Sequence, residues 1–251
     1  MSERLLNEII EETAELVRRA AHPRKGTIRV SPEVAALLDA VAPAPGRSVD
    51  PAAAAELEAL AGKISACTQC GLCEGRMQTV FADGDPAADI VFVGEAPGEQ
   101  EDIQGIPFVG RGGKLLTDII VKGMKMRRED VYICNVIKCR PPNNRDPLPE
   151  EIEQCEPYLI RQLELVQPKV ICALGGHAAK TLLKTDESTG RLRGKWHFYQ
   201  GIPLRVTYHP AYLLRSPGEK KKTWADIQEV MKVLRGEVQP SPPTSETHLF
   251  G

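Results

Sequence analysis

Residues 89–102 read DIVFVGEAPGEQED, and this stretch decides the fold. Ile90 to Val93 are apolar without interruption, and the run stops at a glycine loop, GEAPG, that opens into acidic residues. A half-exposed strand alternates apolar with polar residues, whereas a short continuous apolar run ending in glycine predicts a strand buried on both faces, over Asp89–Val93. Val131–Val136, Lys169–Leu174 and Leu204–Thr207 read as three further strands. Helical spacing separates these runs at Gly113–Met124, at Pro149–Val166, from about Gly176, and in a closing stretch, Thr223–Leu234. Alternation of this kind predicts an α/β fold with a parallel sheet and helices on both faces. Sites in such sheets lie at the carboxyl ends of the strands. GEAPG, the segment around Asn135 and HPAYLLR (209–215) each follow a strand pattern, so three distant segments are expected to converge on one crevice.

Outward from this body the chain changes character. Leu5, Leu6, Ile9, Ile10, Ala14, Leu16 and Val17 recur at helical spacing, which predicts an amphipathic helix over residues 2–20. Its polar face is not basic, so packing on the domain or on a protein partner is expected rather than membrane binding. APAPGRSVDPAAAAE reads as a linker entering a helix, with Asp50 as the cap and Pro51 in the first turn. The tail with QPSPPTSE is expected to be disordered. The organisation is therefore residues 1–60 as a helical extension and linker, 61–236 as the main domain, and 237–251 as a tail. There is no apolar stretch of membrane-spanning length, and the charged N-terminus does not resemble a signal peptide. Seven cysteines, an odd number, fit a reducing cytoplasm rather than a disulfide framework. A net charge of −2 carries no global basic signature, so any nucleic-acid contact must come from local patches.

The chemistry-bearing residues are distributed over these segments. Cys67 and Cys70 form a CxxC in CTQC, and Cys139 and Cys155 follow far downstream. Two close and two distant thiolates can make a four-sulfur site that staples remote segments; zinc and iron–sulfur clusters both use this spacing. Cys73 is close enough to compete as a ligand, whereas Cys134 and Cys172 lie in strand patterns and read as buried core thiols. The GEAPG loop needs glycine where backbone approaches a ligand or turns sharply. Glu95, Glu99, Glu101 and Asp102 place carboxylates beside it, either to bind metal, position water or stabilise a cation, or as a solvated acidic loop. Phe108 follows a Gly-Ile-Pro turn and can stack on a planar ligand or pack in the core. Asn135, near a strand end, can pair with the imide edge of a pyrimidine or cap a turn. His209 can donate to a developing anion or cap a turn. Tyr212, Leu213, Leu214 and Arg215 follow in a loop, where a Leu-Leu pair is usually buried, but the adjacent basic residues fit apolar wedges joined to a cation that enter a duplex. His22, His177, His197 and His248 have no comparable context.

CTQC, GEAPGEQED, GIPFVGRGGKLL, VYICNVIKCRPPNNRDPLPEEIEQC, LGGHAAKTLL, LRGKW and HPAYLLR, in this order, resemble the fourth family of uracil-DNA glycosylases, the iron–sulfur enzymes. The resemblance runs from about Cys67 to Leu234 and is specific as a set. It implies a three-layer α/β/α sandwich around a four-stranded parallel sheet. It implies a [4Fe–4S] cluster on Cys67, Cys70, Cys139 and Cys155, with Cys73 at a position that need not be cysteine. It assigns Glu95 and neighbouring backbone to the first catalytic motif, Gly94 to substrate binding, Phe108 to stacking on uracil, and Asn135 to reading its pyrimidine edge. Glu101 then stands where it would crowd a 5-methyl group, His209 meets the uracil O2 atom, and Tyr212 to Arg215 meet DNA as a minor-groove wedge. A related branch carries a basic insertion with a histidine that captures the sugar covalently; KCRPPNNRDPLP here has none, which favours simple hydrolysis. The implied partner is uracil-containing DNA, single- or double-stranded, and a monomer is expected. The competing readings are a nonenzymatic metal-stapled nucleic-acid-binding module, which would need neither Asn135 nor Phe108, and an electron-transfer iron–sulfur protein, disfavoured by cysteines spread over a mixed α/β chain.

Overall fold

The structure is a computed structural model that describes residues 50–242. The amphipathic helix expected at 2–20, most of the linker, and the tail beyond residue 242 lie outside the described residues. Helix α1 spans Pro51–Ser65; Asp50 caps it by accepting from the Ala52 amide at 3.0 Å, and Pro51 occupies the first turn, where a missing N–H costs nothing. Because α1 runs without a break through residue 60, the boundary drawn there from sequence falls inside a helix. A one-turn helix α2, Leu72–Gly75, follows the CTQC segment. The short strand β1, Asp83–Gly84, precedes β2, Ile90–Gly94, whose five residues are all buried. Helices α3, Glu99–Gln104, and α4, Arg111–Asp118, come next, α4 continuing as a wider π-helical turn through Met124. Strand β3 is Tyr132–Asn135, and helix α5 fills Pro149–Val166. Then come β4, Val170–Leu174; α6, Gly176–Leu183; the short α7, Thr189–Leu192; and the hairpin of β5, Trp196–Tyr199, with β6, Ile202–Thr207. Helix α8, Pro210–Arg215, and the closing α9, Lys220–Leu234, complete the body.

The sheet has six strands in the order β1-β3-β2-β4-β6-β5. The central four, β3-β2-β4-β6, are parallel, as the apolar runs predict. The two added strands pair antiparallel at the edges, so the expected four-strand sheet is extended to six. Both are hard to read from sequence: β1 has two residues, and β5 is half-exposed and lacks an apolar run.

Successive strand residues face opposite layers. Val91 and Val93 of β2 join Tyr132, Cys134, Ile171, Ala173, Leu204 and Val206 in one core, closed by Leu159 and Leu163 of α5 and Ala178 of α6. Ile90 and Phe92 join Ile133, Val170 and Cys172 in the other, closed by Leu116 of α4 and Ile227 and Val230 of α9. Cys134 and Cys172 are free, fully buried thiols. A sheet covered on both sides has no solvent face, which is why β2 and β4 read as unbroken apolar runs; in β6 the buried Arg205 and Thr207 interrupt the run and donate to Asp226 of α9 at 3.2 and 3.1 Å. The chain steps from β2 outward to β3, then crosses to β4 on the other side of β2. That reversal opens a crevice at the carboxyl ends of the central strands.

Candidate active site

Gly94 ends β2 and Asn135 ends β3, side by side in register. A Cβ at Gly94 would lie 2.4 Å from Asn135 Oδ1 and 2.4 Å from Phe108 Cζ, so only glycine lets the carboxamide and the ring close over the strand end. Phe108 holds φ of 55°, a left-handed conformation uncommon for a bulky residue. Its neighbours hold it there. Glu101 Oε1 accepts from the amides of Val109, at 2.9 Å, and Gly110, at 2.8 Å, and Arg128 Nη2 donates to the Pro107 carbonyl at 2.7 Å. Glu101 thus lines the cleft while shaping the Phe108 loop.

Asn135 is 1% exposed, and its Oδ1 has no hydrogen-bond partner. Buried polar atoms are nearly always satisfied, so an orphan facing a cleft is an open position for a ligand donor. His209 follows β6 and caps α8, its Nδ1 accepting from the Ala211 amide at 3.2 Å. With Nδ1 as acceptor, the neutral ring carries its proton on Nε2. Burial pushes the His209 pKa down to about 4; Arg215 adds to this and Glu101 opposes it. The ring stands 5.7 Å from that of Phe108, and a Cβ at Gly175 would lie 2.9 Å from His209 Cβ. Glu95, Glu101, Phe108, Asn135, His209 and Arg215 all line one open cleft.

The structure adds two residues that the sequence analysis passed over. Asp146 and His177 meet Glu95, with one donor atom from each within 4.8 Å of the others. Asp146 Oδ2 lies 3.4 Å from His177 Nε2. Burial raises the Glu95 pKa, His177 lowers it, and Asp146 raises it further. The signal available in sequence was position alone: His177 directly follows the two glycines after β4, at the carboxyl end of a central strand, where sites form.

The segment after His209 differs from the loop that was expected. It is the helix α8, and Leu213 is buried, 1% exposed, which removes it from any surface wedge. Tyr212 and Leu214 are each 37% exposed, and Tyr212 packs on Tyr208 with ring centroids 5.1 Å apart.

Behind the cleft, Cys67, Cys70, Cys139 and Cys155 line a common cavity with Arg76, Lys138 and Tyr158; Cys73 is outside this lining. Cys67 follows α1, Cys139 lies beyond β3, and Cys155 is on α5, so the four sulfurs join three remote segments. Donors already point at them: Arg76 Nη1 to Cys139 Sγ at 3.2 Å, the Lys138 amide to Cys155 Sγ at 3.3 Å, and Tyr158 Oη to Cys67 Sγ at 3.6 Å. Lys138 is fully buried, with Nζ donating to the Asn135 carbonyl at 2.6 Å.

A sheet with this switch point and a cleft built from GEAPG, Asn135 and His209 is the architecture to which the family comparison also points: the profile of the uracil DNA glycosylase superfamily matches residues 81–230. A type-4 uracil-DNA glycosylase of Saccharolobus solfataricus is 43% identical over 204 residues, covering 78% of this chain and 92% of that protein. Type-4 enzymes of Archaeoglobus fulgidus and Thermotoga maritima are 42% and 41% identical, over 96% of each. The chain belongs to the uracil DNA glycosylase superfamily, in its type-4 family.

Proposed function

We propose that this protein is a uracil-DNA glycosylase that hydrolyses the N-glycosidic bond of uracil in DNA and leaves an abasic site. The observation that carries the reading is the unpartnered, buried Asn135 Oδ1, facing a cleft beside Phe108 and a neutral His209. Uracil presents an N–H flanked by carbonyls; the Asn135 carboxamide supplies an acceptor and a donor side by side to meet that edge, and Phe108 supplies a face for stacking. A base within a duplex cannot reach this depth, so the nucleotide must rotate out of the stack.

Cleavage separates charge. The C1′–N1 electron pair departs with uracil as an anion, and the sugar becomes oxocarbenium-like. His209 Nε2–H, neutral and desolvated, donates to the developing charge on uracil O2. Glu95 faces the sugar side, where its carboxylate stabilises the cation and takes a proton from water as the water oxygen bonds to C1′. Uracil then acquires its proton at N1. Glu101 orders the loop carrying Phe108, and Leu214 and Arg215, with Tyr212 beside them, face the duplex.

The four cysteines are read as ligands of a [4Fe–4S] cluster. Among the described residues no three of these sulfurs lie within 4.8 Å of one another. A single zinc ion, at about 2.3 Å from each sulfur, would draw them to roughly 3.8 Å, so a larger multinuclear group suits the spacing better. Arg76 supplies positive charge for such a thiolate group. When bound, the cluster would tie α1, the segment after β3, and α5 together behind Asn135.

The test is incubation of purified protein with one oligonucleotide carrying a single uracil and its thymine counterpart, followed by alkaline cleavage at abasic sites. Strand scission is expected for uracil alone. Equal scission of both, or of neither, would refute the reading.

A further inference from the structure

Glu95 is held half-buried beside two groups from other segments, Asp146 in the loop before α5 and His177 at the second residue of α6. The fold brings His177 there: Gly175, at φ of +93°, turns the chain sharply at the end of β4, and α6 starts at once beside the carboxyl end of β2. Asp146 Oδ2 stands 3.4 Å from His177 Nε2.

We propose that His177, braced by Asp146, is a positioning residue that keeps the Glu95 carboxylate ionised and aimed at the water attacking the sugar. This rests on the uracil-excision reading of the cleft. To accept a proton from water, Glu95 must begin as an anion, yet removal from solvent favours its neutral form. A cation within reach offsets that cost. The surrounding charges are otherwise committed. Arg145 makes a two-nitrogen ion pair with Glu151, at 2.9 and 2.6 Å, and Arg140 lies 4.0 Å from Glu99. Glu101 is engaged by the Val109 and Gly110 amides. Arg111, Arg215 and His209 line the cleft, but the charges that act appreciably on Glu95 are His177, which lowers its proton affinity, and Asp146, which raises it. The two neighbours therefore have opposite effects, and Asp146 is tolerable because it faces the His177 ring.

The sign of the pH effect follows. Removing His177 leaves Glu95 with burial and Asp146, both of which favour its protonated form, so the acid limb of the rate profile should move to higher pH. The experiment is single-turnover uracil release from a single-stranded oligonucleotide between about pH 5 and about pH 9, for the wild type, His177→Gln and His177→Arg. For His177→Gln, an acid limb displaced upward by roughly half to one pH unit is expected, with the loss shrinking as the pH rises. His177→Arg should bring the limb back by placing a permanent cation beside Glu95. An acid limb unchanged in His177→Gln, or a loss equal at every pH, would overturn the proposal while leaving the function intact. A wild-type protein that releases no uracil would overturn both.

Discussion

At the scale of single residues, Asn135 and Gly94 act as a pair. The Asn135→Ala variant loses the acceptor and donor at the pocket floor, and a bound uracil would keep unpaired groups. That should cost about 1–3 kcal/mol, a loss of roughly tenfold to more than a hundredfold in single-turnover rate. Gly94→Ala should be as damaging although it deletes nothing, because its Cβ would meet both Asn135 and Phe108 at 2.4 Å. Full activity in that variant would mean the pocket floor is softer than its packing indicates. His209 makes a separate prediction. Its pKa is lowered from 6.5 to about 4, so the unfolded chain takes up this proton first as the pH falls. The stability gained from a neutral buried ring is present above the ordinary histidine range and is lost as the pH drops towards about 4. Imidazole NMR should show His209 neutral, protonated on Nε2, through pH 5. A midpoint near 6.5 would remove it as a neutral donor.

At the scale of elements, α8 divides its two leucines between different tasks. Leu213 is core and Leu214 is surface. Leu213→Ala should cost about 2–5 kcal/mol of stability in a urea melt and impair single- and double-stranded substrates alike. Leu214→Ala should leave the melt nearly unchanged and slow excision from a U:G duplex more than from the same strand alone, since flipping costs more from a paired stack. Equal slowing on both substrates would take Leu214 out of strand opening. This division was not legible in HPAYLLR read as a loop. The signals for a helix were present, a capping His209 and Pro210 at the first position, but six residues are too few to show a period.

At the scale of the whole molecule, the four cysteines that line one cavity come from separate segments, after α1, after β3 and within α5. Helix α1 buries Leu57 and Ile64, and Arg161 of α5 reaches Glu56 at 2.6 Å; Cys67 then follows α1 directly. Cys139→Ala or Cys155→Ala should lose bound iron and sulfide, the visible absorbance and several degrees of thermal stability, and Cys73→Ala should retain all three. Stoichiometric zinc in colourless, anaerobically purified protein would replace the cluster reading with a single-ion site.

The sequence by itself determined the parallel core and its order. Short apolar runs such as Ile90–Val93 and Val170–Leu174 suit strands covered on both faces, and Pro149–Val166 was readable to its ends because an 18-residue helix repeats its period several times. It also placed Gly94, Glu95, Asn135 and His209 at strand ends, where the parallel register makes them neighbours. Tertiary structure alone decided what depends on distance across the sheet. The edge strands β1 and β5 exist through their partners, since neither has a burial pattern of its own. Leu213 and Leu214 look alike in sequence and differ only in what lies beneath them. His177 and Asp146 are separated from Glu95 by 82 and 51 residues; they acquire a shared chemistry because the crossing from β3 to β4 brings the start of α6 back beside the end of β2. Local pattern records burial and turns, whereas the proximity of charges is a property of the closed fold.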